Sequence, residues 1–196
     1  MLKQGNPFDE IKKKHRDCIP MHLAQAAFNS TTYRIFGEGS AKKLRKFVMD
    51  KIGDGRRFIS GQDFEREHAT LVRQFPATIR LSAKSNKMPR FGHKAKVIDL
   101  YLKTLYCQRE PLSAVAAKRL GQRLHVPLDR FVLEAVWKDF GQQLWNDAKR
   151  GHFNLAKLNG KRYHAIQKLL ADRAKKAGTI AILYDDLYVV GSEQAR

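Results

Sequence analysis

The chain has few of the residues that build disulfide or metal frameworks. Its 196 residues include two cysteines, Cys18 and Cys107. Two thiols cannot make a four-thiolate zinc or iron–sulfur site by themselves. They read as reduced thiols of an intracellular protein rather than as a disulfide scaffold. The histidines supply no local ligand pattern either. His22, His68, His93, His125, His152 and His164 are scattered along the chain, and no H-E-x-x-H spacing occurs. Neither a structural metal nor a cofactor is expected. No apolar run approaches the ~18 residues of a spanning helix, and no secretory signal pattern is present, so a membrane location is not expected. The scarcest class in relative terms is the acids: 19 Asp and Glu stand against 38 Lys and Arg, a net charge of +19.

That imbalance creates a field that draws in polyanions, and nucleic acid is the commonest such partner. A hydrophobic fraction of 43% is enough for a packed interior and unlike that of a disordered chain. The length fits one compact unit, no internal repeat is present, and a monomer is expected. Within it, residues 1–20 read as a basic lead-in, 21–90 as a first helical lobe, 91–150 as a hairpin and catalytic region, and 151–196 as a C-terminal helix with short extended pieces.

Apolar periodicity predicts a mainly α fold. His22–Phe28 reads as a short helix. Ser40–Ile52 places Leu44, Phe47, Val48 and Ile52 on one face, and Gly53 is a natural stop. Ser60–Phe75 follows, with Asp63 as a cap and Phe64, His68, Leu71, Val72 and Phe75 along one side. Pro76–Pro89 reads mostly as loop. Gly92–Cys107 carries a wide apolar stripe, Pro111 begins another helix, and Arg130–Ala148 is strongly periodic after the break His125-Val126-Pro127-Leu128-Asp129. Tyr163–Ala177 is the last helix, closed by Gly178. Thr179–Tyr184 and Leu187–Val190 read as extended, forming one small C-terminal hairpin around Asp185-Asp186.

Chemistry concentrates at two helix starts. In Pro89-Arg90-Phe91-Gly92-His93-Lys94-Ala95-Lys96, Pro89 fixes φ and Gly92 permits a tight reversal. Unpaired N–H groups at the following helix start can hold a phosphate. Lys94 and Lys96 lie next to Val97, Ile98, Leu100 and Tyr101, and an amine beside such a stripe is partly desolvated. Desolvation and neighbouring cations both favour the neutral amine, which can attack an electrophilic carbon and form a Schiff base. Asp129, directly before the next apolar helix, is an N-cap. A capping carboxylate is rigid and ionised, and can stabilise a developing cation nearby.

Gly92-His-Lys-Ala-Lys-Val-Ile-Asp99, followed by His125-Val-Pro-Leu-Asp-Arg130, resembles the helix–hairpin–helix (HhH-GPD) DNA glycosylases of the 8-oxoguanine branch. That family shows G-x-G-x-K-V-x-D and, downstream, V-P-V-D opening the next helix. The match covers roughly residues 86–140. Lys94 stands where the family has its second hairpin glycine, and the stretch between Lys96 and Asp129 is closer to the archaeal enzymes, which are also small. The absence of iron–sulfur cysteines suits this branch rather than that of endonuclease III.

The resemblance implies a two-lobed helical fold with a central cleft, and a DNA glycosylase with AP-lyase activity acting on double-stranded DNA in the cytoplasm of a prokaryote or phage-infected cell, at the nucleoid. Lys96 takes the place of the catalytic lysine and Asp129 that of the catalytic aspartate. Arg90, Gly92, His93 and Lys94 would hold DNA phosphate. A shifted register, MPRFGHK on L-P-G-V-G-x-K, makes Lys94 the nucleophile instead; Lys96 is preferred because Val97 and Asp99 then match as well. The base pocket is not legible. Phe131, Trp137, Phe140, Trp145 and Tyr163 have core-like spacing and are secondary candidates for stacking.

Two other readings of the sequence remain. Arg119-Leu-Gly-Gln-Arg-Leu... through His125 fits the permissive R-x(4–6)-H pattern of HEPN ribonucleases, in which the histidine works as general acid or base. A non-catalytic DNA-binding protein of the same fold would keep the charge and lose the chemistry.

Overall fold

A computed structural model describes residues 24–28, 35–60, 63–82, 86–108, 112–145 and 149–184. After a helical stretch at 24–27, helix α1 spans Ser40–Lys51 and α2 Arg56–Ser60. Helix α3 spans Phe64–Arg73 and α4 Phe91–Gln108. Helices α5, Ala114–Gly121, and α6, Arg130–Leu144, are followed by a 3-10 turn at Arg150–His152 and by α7, Gly160–Lys176. The fold is mainly helical, and the only β pairing among the described residues is an antiparallel bridge between Phe36 and Leu81.

Local chemistry explains most boundaries. Leu44, Phe47 and Val48 form the buried stripe of α1, and Ile52 is buried just beyond it. Gly53 then adopts φ +58° and donates its N–H to the Val48 carbonyl at 3.0 Å, which stops the helix at the expected residue. The side chain of Asp63 accepts the Arg66 N–H at 2.9 Å, so α3 begins after Asp63, whereas Ser60 closes the separate helix α2. Ser113 caps α5 in the same way, accepting from Ala116 N–H. Asn159 caps α7, which starts a turn earlier than Tyr163, and Gly178 closes it at φ +69°. Helix α6 stops at Leu144, where Trp145 turns extended. The start of the α5 segment at Pro111 and the last residues expected of α6 lie outside the described residues.

The extended reading of Thr179–Tyr184 is corrected. Leu183 and Tyr184 donate backbone N–H groups to the carbonyls of Ile180 and Ala181, so the segment is folded into turns. An extended strand needs a neighbour for its backbone groups, and no strand lies beside it among the described residues. The turns instead bury Ile182 in the core. The second half of that hairpin, Leu187–Val190, and Cys18 and His22 lie outside the described residues.

Helix α4 is the axis of the fold. Helices α1, α3, α5 and α7 all pack on it, and α6 packs on α7. Its stripe is wide because it has neighbours on several sides. Ala95, Val97, Ile98, Tyr101, Leu102 and Leu105 are all buried. A fully buried Leu, Ile or Val side chain of this kind contributes roughly 1.5–3 kcal/mol. One continuous hydrophobic cluster joins residues from Ala24 to Ile182. No helix among the described residues is long and apolar enough to cross a membrane.

Candidate active site

Two helix starts meet at one point. Asp129 is the N-cap of α6, and its Oδ1 accepts the Val132 N–H at 2.9 Å. Its other oxygen, Oδ2, faces the amine of Lys96 at 4.0 Å. One oxygen of the carboxylate is thus held by the cap, and the other is presented to the lysine. Both side chains reach solvent, with 14% of Lys96 and 31% of Asp129 exposed. The chain leading into Asp129 is fixed from below. Gln167 on α7 donates to the Val126 carbonyl at 2.8 Å and accepts the Val126 N–H at 2.9 Å. Val126 and Leu128 are buried on either side of Pro127. Such a two-point backbone clamp leaves the segment little freedom.

Lys96 is carried by the first turns of α4, and the neighbouring residues take other roles. Gly92 is not a turn glycine. It lies inside the helix, its N–H is directed at the Leu158 carbonyl at 3.3 Å, and a Cβ there would come within 2.6 Å of the Leu155 carbonyl oxygen. The residue type is set by the close approach of the 155–158 segment, and this N–H is not offered to a phosphate. The N–H groups of His93 and Lys94 go to the Arg90 carbonyl. Arg90 is exposed and its guanidinium donates to the Ala156 carbonyl at 3.1 Å. The Lys94 amine lies 5.9 Å from the centre of the Phe75 ring. Two positions along a helix turn the side chain about 200°, so Lys94 and Lys96 leave α4 in different directions.

His93 is buried, and its Nδ1 has no hydrogen-bond partner among the described residues. Burial first, and then the cations of Arg90 and Lys96, push its pKa below the ordinary 6.5. The unfolded chain therefore takes up this proton before the native protein does. The stability that comes from keeping His93 neutral is complete above about pH 6.5 and is lost as pH falls through the depressed native value. Thermal melts of His93→Gln followed from pH 7.5 to 5 should lose less stability than the parent over that interval. Parallel curves for the two proteins would exclude His93 as a source of acid sensitivity.

The aromatic candidates separate into different environments. Phe131 is 66% exposed, two residues after Asp129. Trp137 packs on Phe153 at 5.3 Å, Trp145 stacks on the same ring at 5.2 Å, and Phe140 meets Tyr184 at 6.3 Å. Tyr163 is wholly buried and has a polar task.

That task is part of a buried network absent from the expectations drawn from sequence. The Tyr163 hydroxyl donates to Asp99 Oδ2 at 2.7 Å and lies 2.9 Å from His125 Nδ1. His68 Nε2 lies 3.0 Å from Asp99 Oδ1, and His125 Nε2 lies 2.7 Å from Glu65 Oε1. His164 Nδ1 is 3.1 Å from the other Glu65 oxygen. Burial pushes the Tyr163 phenol up, and Asp99 adds to the effect through its charge and hydrogen bond. Burial alone would raise the Glu65 carboxyl, but the His125 hydrogen bond and the surrounding imidazoles outweigh it and hold the pKa below the ordinary value. The scattered histidines are therefore not scattered in space. The one signal in the sequence was polar residues on apolar stripes: His68 among Phe64, Leu71 and Val72, and Asp99 among Ile98, Tyr101 and Leu102. Periodicity marks such residues as buried but does not say which helices bring them together.

The same placement bears on His125 as a general acid or base. Its ring is buried, and both nitrogens face partners, Glu65 and Tyr163. Arg119 is exposed. With both nitrogens engaged, the ring is poorly placed to exchange protons with a substrate hydroxyl. No protein-family description, curated protein or solved structure matches the chain.

Proposed function

We propose that the protein is a DNA glycosylase with AP-lyase activity, built on a two-lobed helix–hairpin–helix fold and acting on an oxidised or modified base in duplex DNA, 8-oxoguanine first. The observation that carries this reading is the approach of Lys96 Nζ to Asp129 Oδ2 at 4.0 Å, both groups reaching solvent. The net charge of +19 supports a polyanionic duplex as the partner.

In the proposed mechanism the duplex bends and the damaged nucleotide is flipped out of the stack, at a few kcal/mol offset by phosphate and pocket contacts. Asp129 stabilises positive charge on the sugar as the C1′–N bond breaks and the base departs with the bonding electrons. Lys96, once its ammonium proton has passed to solvent, forms the new bond to C1′ with the freed lone pair. Loss of an amine proton and opening of the sugar ring give the Schiff base. Removal of a C2′ proton then expels the 3′ phosphate by β-elimination. Arg90 and Lys94 are the phosphate contacts this reading retains from the hairpin.

Borohydride reduction tests the proposal. A covalent protein–DNA adduct on 8-oxoguanine or abasic duplexes is expected, and salt-sensitive binding with neither adduct nor base release would leave a non-catalytic DNA-binding protein. Phe131 is the exposed ring beside Asp129, and in this reading it stacks on a base or fills the gap left by the flipped nucleotide. Stacking of one base on an aromatic side chain is worth about 1–3 kcal/mol. Phe131→Ala should therefore slow single-turnover adduct formation by roughly ten- to a hundredfold, with an unchanged melting temperature. An unaltered rate would take Phe131 out of the interface.

A further inference from the structure

We propose that His68, Asp99 and His125 form a structural zinc site, with the Tyr163 hydroxyl oxygen in the fourth position. One ligand atom from each of the first three residues lies within 4.8 Å of the others. The Tyr163 hydroxyl oxygen lies 2.7 Å from Asp99 Oδ2, 2.9 Å from His125 Nδ1 and 3.5 Å from His68 Nε2, and His68 Nε2 lies 3.0 Å from Asp99 Oδ1. Tetrahedral zinc with bonds of about 2.0–2.1 Å sets its ligand atoms roughly 3.3–3.5 Å apart, so changes of up to about 1.5 Å in these separations complete the shell.

The surroundings suit a cation. His68 and Asp99 are 0% and 1% exposed, so the Asp99 carboxylate requires strong compensation. The Tyr163 hydroxyl has a single proton and faces both Asp99 Oδ2 and His125 Nδ1. A dication where the three ligands converge would offset the buried Asp99 carboxylate and take lone pairs from both imidazoles. Glu65 then completes a carboxylate–histidine–metal arrangement, orienting His125 from behind.

Imidazole and carboxylate donors also suit ferrous iron. An oxygen-activating iron site needs open coordination positions, however, and here Tyr163 and the surrounding core occupy that space. A groove of about 1850 Å³, lined by Glu65, His125, His164 and Gln167, reaches the His125 side of the cluster. The ligands come from α3, α4, the segment before α6, and α7, so one ion would tie together the elements that position Lys96 and Asp129. The site is independent of the glycosylase reading, since neither of those residues is a ligand.

Metal analysis and cobalt substitution of the full chain test the proposal. Protein purified with zinc present should hold close to one zinc per chain. Chelation should lower the melting temperature by roughly 5 °C or more. Cobalt(II) added to the chelated protein should give the intense visible bands of a tetrahedral site, abolished by added zinc. Asp99→Asn should lose stoichiometric zinc. Because that change can unfold the protein, the milder Tyr163→Phe, checked for native circular dichroism, should alter the cobalt spectrum and weaken zinc binding about tenfold. Wild-type protein without zinc and without cobalt bands overturns the proposal and leaves a proton-bonded network. Uptake with an unchanged spectrum in folded Tyr163→Phe and unchanged stoichiometry in Asp99→Asn also overturns it, because the ion would then lie elsewhere.

Discussion

Lys96→Gln should reduce borohydride trapping on abasic or 8-oxoguanine duplex by about a thousandfold or more, because an amide has no nucleophilic lone pair with which to form an imine. Duplex affinity should stay within roughly threefold, since one lysine among many cations contributes a small part of the phosphate attraction. Glutamine keeps a polar head of similar reach, so the packing at the start of α4 should survive. Lys94→Gln is the matched control. Its amine lies over Phe75 rather than at Asp129, and trapping should change only by as much as a lost phosphate contact allows. Trapping that persists in Lys96→Gln and disappears in Lys94→Gln would move the nucleophile to Lys94 and with it the register of the whole hairpin.

Asp129→Asn should slow single-turnover base release by about a hundredfold or more, the effect expected when a charge that stabilises a developing cation is removed. The substitution isolates chemistry from folding. Asparagine caps a helix about as well as aspartate, so the bond from Val132 N–H is retained and the melting temperature should barely move. Asp129→Ala removes both functions and should add a stability loss of about 1 kcal/mol. If Asp129→Asn releases base at the parent rate, the carboxylate is a cap and nothing more. The cap and the electrostatic role divide between the two oxygens, Oδ1 on Val132 and Oδ2 on Lys96, which is why one substitution can separate them.

Much of the helical framework is legible in the sequence. Asp63 and Asp129 announce their helices because a short acidic side chain before an apolar run satisfies the first free N–H groups. Gly53 and Gly178 announce the ends because they can turn left-handed. The weaker readings failed where local pattern and tertiary context disagree. Thr179–Tyr184 has the apolar alternation of a strand, but a strand is defined by its partner, and the core offered Ile182 a pocket instead. Gly92 looked like the pivot of a reversal. Its real neighbour is the Leu155 carbonyl, which arrives from far along the chain and is invisible to any local rule.

By itself the sequence determined most of the helices, the caps Asp63 and Asp129, the charge and the two short segments that carry Lys96 and Asp129. These are local properties, set by side-chain shape, backbone preference and hydrogen-bond chemistry within a few residues. Tertiary packing alone decided that those two side chains face each other, that Gln167 clamps the approach to Asp129, and that His68, Asp99, His125 and Tyr163 converge beneath α4. Distances between groups remote in sequence follow from which faces bury one another around α4, and that outcome belongs to the whole chain at once.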